Sequence, residues 1–219
     1  MRKSMGAVMA AGLILAVLIS NIGGFISDGR KLDELRSSVL RLHIIANSDS
    51  ERDQQLKLMV RDRLLGSGIF KSAESLSEAE DIAEENLAVI KDIAEGVLRE
   101  NGCTDRTAAE ITDVYFGDRT YGDITMPAGK YRALRISIGK AEGHNWWCVM
   151  YPPLCLPAAC EAEEDVAEDK SAAEKNFDEK ELDMLRKPRK YKVRFAIWDK
   201  IKSVIDDDDV QNDKNNETA

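Results

Sequence analysis

The residues able to do chemistry fall in two stretches. The first runs from His43 through Asn47, Asp49 and Asp53 to Lys57 and Arg61. The second is Gly143-His144-Asn145-Trp146-Trp147-Cys148-Val149-Met150-Tyr151-Pro152-Pro153-Leu154-Cys155. Both histidines of the chain lie in them, with two of its three tryptophans and two of its four cysteines. Cys148 as nucleophile, His43 as base and Asn47 as orienting group is one arrangement these types allow. A metal held by His43, His144, Asp49 and Asp53 is another. Neither has a diagnostic spacing. No glycine-rich elbow surrounds Cys148, and no phosphate-binding G-x-x-x-x-G-K-[ST] loop occurs. Structural zinc sites want paired short Cys/His spacings, and there is no C-x-x-C pair. The expectation is no catalytic residue, no metal and no cofactor.

Charge and compartment narrow the class. The chain has 219 residues, with 31 Lys+Arg against 40 Asp+Glu, a net charge of -9. That balance argues against nucleic acid as a partner. Arg2 and Lys3 precede an apolar run, Met5 to Ile26, broken only by Ser20 and Asn21. A run of roughly 20 apolar residues matches a membrane-spanning helix better than the about 7–15 of a signal-peptide core. The basic start favours export of the residues beyond the run. The chain is therefore expected to be membrane-anchored or secreted, touching the membrane through its N-terminal helix, with an extracytoplasmic functional domain. There a Cys148–Cys155 disulfide is expected to clamp the Pro-Pro turn.

The elements that must position these residues can be read from periodicity. Val39 to Ala46 alternates as a strand, with Arg41 and His43 on one face. Ser48 or Asp49 caps a helix running to about Leu65, with Leu56, Met59, Val60 and Leu64 as its apolar stripe. Asp53, Lys57 and Arg61 form a charged rail, expected to face solvent. A second long helix starts near Ser75 or Ser77 and ends before Asn101-Gly102. Ala109 to Phe116, Tyr131 to Ile138 and Trp146 to Tyr151 read as strands. Trp146 and Trp147 point to opposite faces of the last one. Tyr191 to Ile197 alternates and reads as a final strand.

The predicted fold is α+β: an N-terminal membrane helix, then one small domain with a mixed or antiparallel sheet covered by two helices. An acidic linker and a C-terminal strand complete it. The boundaries are 1–27 for the anchor or signal, 28–38 for a connector and 39–156 for the signalling domain. Residues 157–190 form the acidic linker with a possible short helix, 191–205 a strand or helix, and 206–219 a disordered acidic tail.

Three runs carry a resemblance: LRLHIIANSDSERDQQLKLMVRD (Leu40 to Asp62), PAGKYRALRISIG (Pro127 to Gly139) and GHNWWCVMYPPLC (Gly143 to Cys155). In this order they resemble stage II sporulation protein R of endospore-forming Firmicutes, over roughly Val39 to Leu156. The resemblance implies a signalling protein made in the forespore and exported into the space between forespore and mother cell. There it is required for a membrane-embedded aspartic protease of the mother cell to cleave pro-sigma-E. It implies no catalytic residues. The expected contact surface is His43, Asn47, Asp49, Asp53, Lys57 and Arg61 with His144, Asn145 and Trp146. The competing expectation is an extracytoplasmic hydrolase using Cys148 or a His/Asp site.

Overall fold

The structure, a computed structural model, describes residues 2–121, 123–152, 174 and 176–216. Contacts divide the chain into two units: Met1–Glu34 with Lys187–Ala219, and Leu35–Arg186.

The larger unit is built on a four-stranded sheet. Its strands are β1 (Leu40–Ile45), β2 (Thr107–Phe116), β5 (Gly129–Ile138) and β6 (Asn145–Tyr151), in the order β2-β5-β1-β6. β1 and β5 are parallel, while the other two pairings are antiparallel. A parallel pair needs a long crossover. Here it contains α2 (Glu51–Gly66), α3 (Leu76–Glu85), α4 (Leu87–Glu100) and β2. Leu42 and Ile44 of β1 and Leu134, Ile136 and Ile138 of β5 pack against Leu56, Val60, Ile90, Ala94 and Leu98 from the helices.

The opposite face is also covered. A hairpin of β3 (Arg119–Tyr121) and β4 (Ile124–Met126), the end of α1 (Arg2–Ser37) and α5 (Glu179–Arg186) build a second core. It joins Leu35, Phe116, Met126, Tyr131, Val149 and Leu185. β1 is thus buried on both faces. The α+β class and the mixed sheet agree with the sequence reading, but the hairpin and the second layer had no periodic signal. Three helices, not two, cover the first face. The expected long helix breaks at Asn86, whose side chain donates to the Ile82 carbonyl at 2.8 Å. Asn101 ends α4 in the same way, donating to Val97 at 2.8 Å.

The rail is the clearest correction. Lys57 and Arg61 are buried, at 5% and 4% exposure, whereas Met59 of the expected stripe is 44% exposed. α2 makes contact on two sides, with α4 and with the start of β6, so the flank carrying 57 and 61 is covered as well. Ser50 caps the helix, accepting from the Asp53 amide.

In the smaller unit α1 continues without a break past the apolar run, so the expected connector 28–38 is helical nearly throughout. Among the described residues no helix is long and apolar enough to cross a membrane. The expected membrane helix is therefore not found. The apolar run and the charged stretch Asp28 to Glu34 are instead one helix, and Met9, Leu13 and Ile19 on it are exposed. The expected C-terminal strand is also wrong. α6 (Pro188–Asn216) is a helix, and its backbone runs through much of the expected tail. Pro188 sits at its first position, where a missing N–H costs nothing. Tyr191 and Phe195 share a face at i,i+4 and stack with centroids 5.6 Å apart. In this unit Trp198 donates to Asp33 at 3.0 Å and packs edge-on to Phe25 at 5.9 Å. A Cβ on Gly29 would lie 2.1 Å from the Trp198 ring, so only glycine permits that approach. The expected linker from Pro157 to Lys175, Glu174 excepted, lies outside the described residues, as do Cys155 and Cys160.

The two sides of α2 give a test. Val60 is fully buried, so Val60→Asp places an unpaired charge in the core and is expected to unfold the domain. Met59→Asp is expected to move Tm by only a few degrees. Thermal unfolding followed by circular dichroism distinguishes them, and equal destabilisation would contradict this packing.

Candidate recognition site

The β1–α2 turn and the β5–β6 turn are locked together. Asn47 is the bolt. Its Oδ1 accepts the Lys140 amide at 2.9 Å, and its Nδ2 donates to Asp53 at 2.9 Å. Its carbonyl accepts the Glu142 amide at 3.2 Å, while the Gly143 amide donates to Ala46 at 2.9 Å. Ser48 Oγ donates to Asp53 at 2.6 Å. The Ser48 and Asn47 bonds hold the Asp53 carboxyl below its ordinary pKa. Two glycines make the contact possible. Gly139 has φ +58°, and a Cβ there would meet Asn47 Oδ1 at 2.3 Å. A Cβ on Gly143 would lie 2.3 Å from the Ser48 carbonyl oxygen. Ala141 between them also takes a positive φ, 55°, uncommon for a residue with a side chain.

Asp49 and His144 lie across this junction. The Asp49 carboxylate accepts the His144 amide at 2.6 Å and pairs with His144 Nδ1. Both side chains are exposed, at 56% and 77%. Beneath them Lys57 Nζ donates to the His144 carbonyl at 2.9 Å, and burial lowers its pKa, partly offset by Asp49.

The two tryptophans diverge as expected. Trp146 faces the helices, with the Arg61 guanidinium 4.2 Å from its ring centroid. Its Nε1 is buried and has no hydrogen-bond partner among the described residues. Trp147 faces the hairpin, stacked on His43 with centroids 4.6 Å apart and edge-on to Phe116 at 4.6 Å. His43 Nε2 bonds Asn145 Oδ1 at 2.8 Å.

All nine expected contact residues are therefore near one end of β1 and β6, but they divide. Asp49, His144 and Asn145 are exposed; Lys57, Arg61 and His43 are buried and serve the packing. Cys148 faces the helix-side core and His43 the hairpin side, so the sheet separates the expected nucleophile from its base. Cys148 is also buried and disulfide-bonded, which removes the thiolate a nucleophile needs. The pairing to Cys155 involves a residue outside the described ones. Cys103 is free and half-buried. Among the described residues no group of three or more His, Cys, Asp or Glu could hold a metal.

The sequence reading placed Arg41 on this face but missed its role. Arg41 is fully buried. Its guanidinium lies 4.0 Å from the Phe116 centroid and 4.9 Å from that of Tyr131. Nη2 donates to Tyr121 Oη at 2.7 Å and Nε to the Cys148 carbonyl at 3.3 Å. Burial lowers its pKa. An arginine within an apolar strand was the available signal.

This geometry makes two predictions. Asn47→Ala loses the bonds to Lys140 and Asp53 and should cost about 1–3 kcal/mol, read by urea unfolding. Unchanged stability would show the bolt to be ornamental. Desolvation lowers the His43 pKa, partly countered by the Asn145 bond. A histidine kept neutral by burial resists protonation that the unfolded chain accepts near about pH 6.5. Its contribution is therefore complete above that value and is lost as pH falls below it. Tm measured from pH 8 to 5 should fall more for the native chain than for His43→Gln. Parallel profiles would refute the assignment.

Comparison with known proteins agrees with the resemblance. Residues 36–161 match the family model for stage II sporulation protein R. The stage II sporulation protein R of Bacillus subtilis (strain 168) is 35% identical over 156 residues, covering 70% of this chain and 70% of that protein. No solved structure matches. The family match begins at Arg36 and ends at Glu161, so it contains the whole sheet, both turns of the junction and the hairpin. A chain that shares this much with such proteins has a role in sporulation, and it belongs to the stage II sporulation protein R family.

Proposed function

We propose that this protein is an exported, non-catalytic signal that triggers a membrane-embedded aspartic protease of the mother cell to process pro-sigma-E. The basic start and apolar run of the chain support export into the space between forespore and mother cell. The observation that carries the reading is the junction of the β1–α2 and β5–β6 turns. It spends its polar groups on holding two turns rigid and presents Asp49, His144 and Asn145 outward. A preorganised surface of this kind loses little entropy on binding. The signal activates only by binding the active state of the protease more tightly than the inactive one. A Cys148–Cys155 bridge would fix the end of β6 beside this surface.

The test is co-expression with the protease and pro-sigma-E in a non-sporulating host. The native chain should induce cleavage. Asp49→Ala with His144→Ala removes an exposed pair worth about 0–1 kcal/mol, so the variant should fold. Cleavage is expected to fall at least about tenfold, the loss of roughly 1.4 kcal/mol of binding. Normal cleavage by a folded, exported double variant would move the contact surface elsewhere, and no cleavage with the native chain would remove the proposal.

A further inference from the structure

Exposed apolar side chains are not spread evenly over this protein. Among the described residues twelve large ones are exposed, and nine of them lie on α1 or α6. All nine belong to the smaller unit, outside the residues 36–161 that match the family. A concentration of exposed apolar surface marks a place where another molecule or a membrane attaches.

α6 has two apolar sides. Tyr191 and Phe195 are buried, and Trp198 packs on Phe25 of α1. Val193, Ile197 and Ile201 are spaced by four, so they share the other face, at 71%, 48% and 41% exposure. That face is also basic. From Arg189 to Lys202 the helix carries six Lys and Arg against one acid, Asp199, in a chain of net charge -9. Lys190 precedes Val193 by three residues and Lys200 follows Ile197 by three, so both flank the stripe. Arg189, Lys190 and Lys200 are all exposed. Arg189 and Lys190 stand in the first turn, at the positive end of the helix dipole, where cations weaken a helix. Helix stability therefore does not account for them. Asp206 to Asp209 follow in the sequence and confine the basic stretch to the first half of α6.

We propose that the first half of α6 lies on an anionic lipid surface, with Val193, Ile197 and Ile201 at the acyl boundary and Arg189, Lys190 and Lys200 among the headgroups. An apolar stripe flanked by cations is what holds a helix in the plane of such a surface. A second copy of this chain fits the face poorly. Parallel pairing sets each of these cations against its own copy, and antiparallel pairing about Ile197 sets Lys200 against Arg194. Three partly exposed side chains also fall short of the about 800 Å² per partner that a stable dimer buries. The inference is independent of the activating role proposed above and concerns where the protein lies.

The test uses the purified full chain and two kinds of vesicle. One is phosphatidylcholine alone, and in the other a third of the lipid is phosphatidylglycerol. The native chain should partition about tenfold more tightly onto the anionic vesicles, and amide exchange from Lys190 to Ser203 should slow more on them than on the neutral ones. Arg189→Glu with Lys200→Glu should bring the two partition coefficients together. Val193→Ser with Ile197→Ser should abolish the slowing. All four positions are exposed, so Tm of both variants should stay within a few degrees of native. Equal partition of the native chain onto the two vesicles would overturn the proposal, as would an undiminished anionic preference in the folded charge variant or undiminished slowing in the folded serine variant. Slowing that rises with protein concentration and needs no vesicle would make a second copy the occupant and would overturn it too.

Discussion

A positive charge is buried in the middle of this domain with no carboxylate paired to it among the described residues. Arg41 sits on the central strand, and its neighbours are Phe116, Tyr131 and Tyr121. Taking a charge out of water is costly unless something replaces the water. Here aromatic ring faces and two oxygen acceptors replace part of it, while Nη1 has no hydrogen-bond partner among the described residues. Each acceptor belongs to a different element: Tyr121 to the hairpin and Cys148 to β6. Tyr121 in turn donates to the Trp147 carbonyl at 3.1 Å. One side chain therefore holds the hairpin over the sheet and ties both to β6. Burying Tyr131 beside it raises the phenol to about 12, so the ring remains neutral and keeps donating to the Pro127 carbonyl at 2.6 Å.

The same strand organises the junction at its other end. β1 delivers Asn47 to the point where the β5–β6 turn returns, and the two glycines let the backbones touch. Helix α2 starts at once, so its capping residues and the turn share Asp53. Rigidity is then a consequence of shared partners. Removing any one group leaves others buried or half-buried and unsatisfied. The exposed Asp49–His144 pair is held in place by the same contacts.

The geometry also separates the one nucleophile and base that the sequence offered as a pair. A nucleophile and its base must lie on the same side of a strand pair, and Cys148 and His43 do not. At this end of the sheet Asp49, His144 and Asn145 are exposed, while Trp146 and Trp147 are half-buried.

Local chemistry determined much of this by itself. The four strands of the main sheet announced themselves by alternation, α2 by its apolar stripe, although its cap is Ser50 rather than the expected Ser48 or Asp49, and the family by three runs that meet in the fold. The two turns could be placed in advance because turns are marked by Asn, Ser, Asp and Gly. Exposure was not legible in the same way. Lys57 and Arg61 looked like a solvated rail because a charge at helical spacing has the same pattern whether or not another element covers it. Tyr191 to Ile197 alternated like a strand, but Tyr191 and Phe195 also satisfy i,i+4, and contacts within their own unit chose the helix. The second layer over the sheet, the aromatic cage of Arg41 and the separation of Cys148 from His43 rest on residues distant in sequence. Periodicity reports which faces a segment has, while burial depends on what packs against each face, and only the tertiary structure decides that.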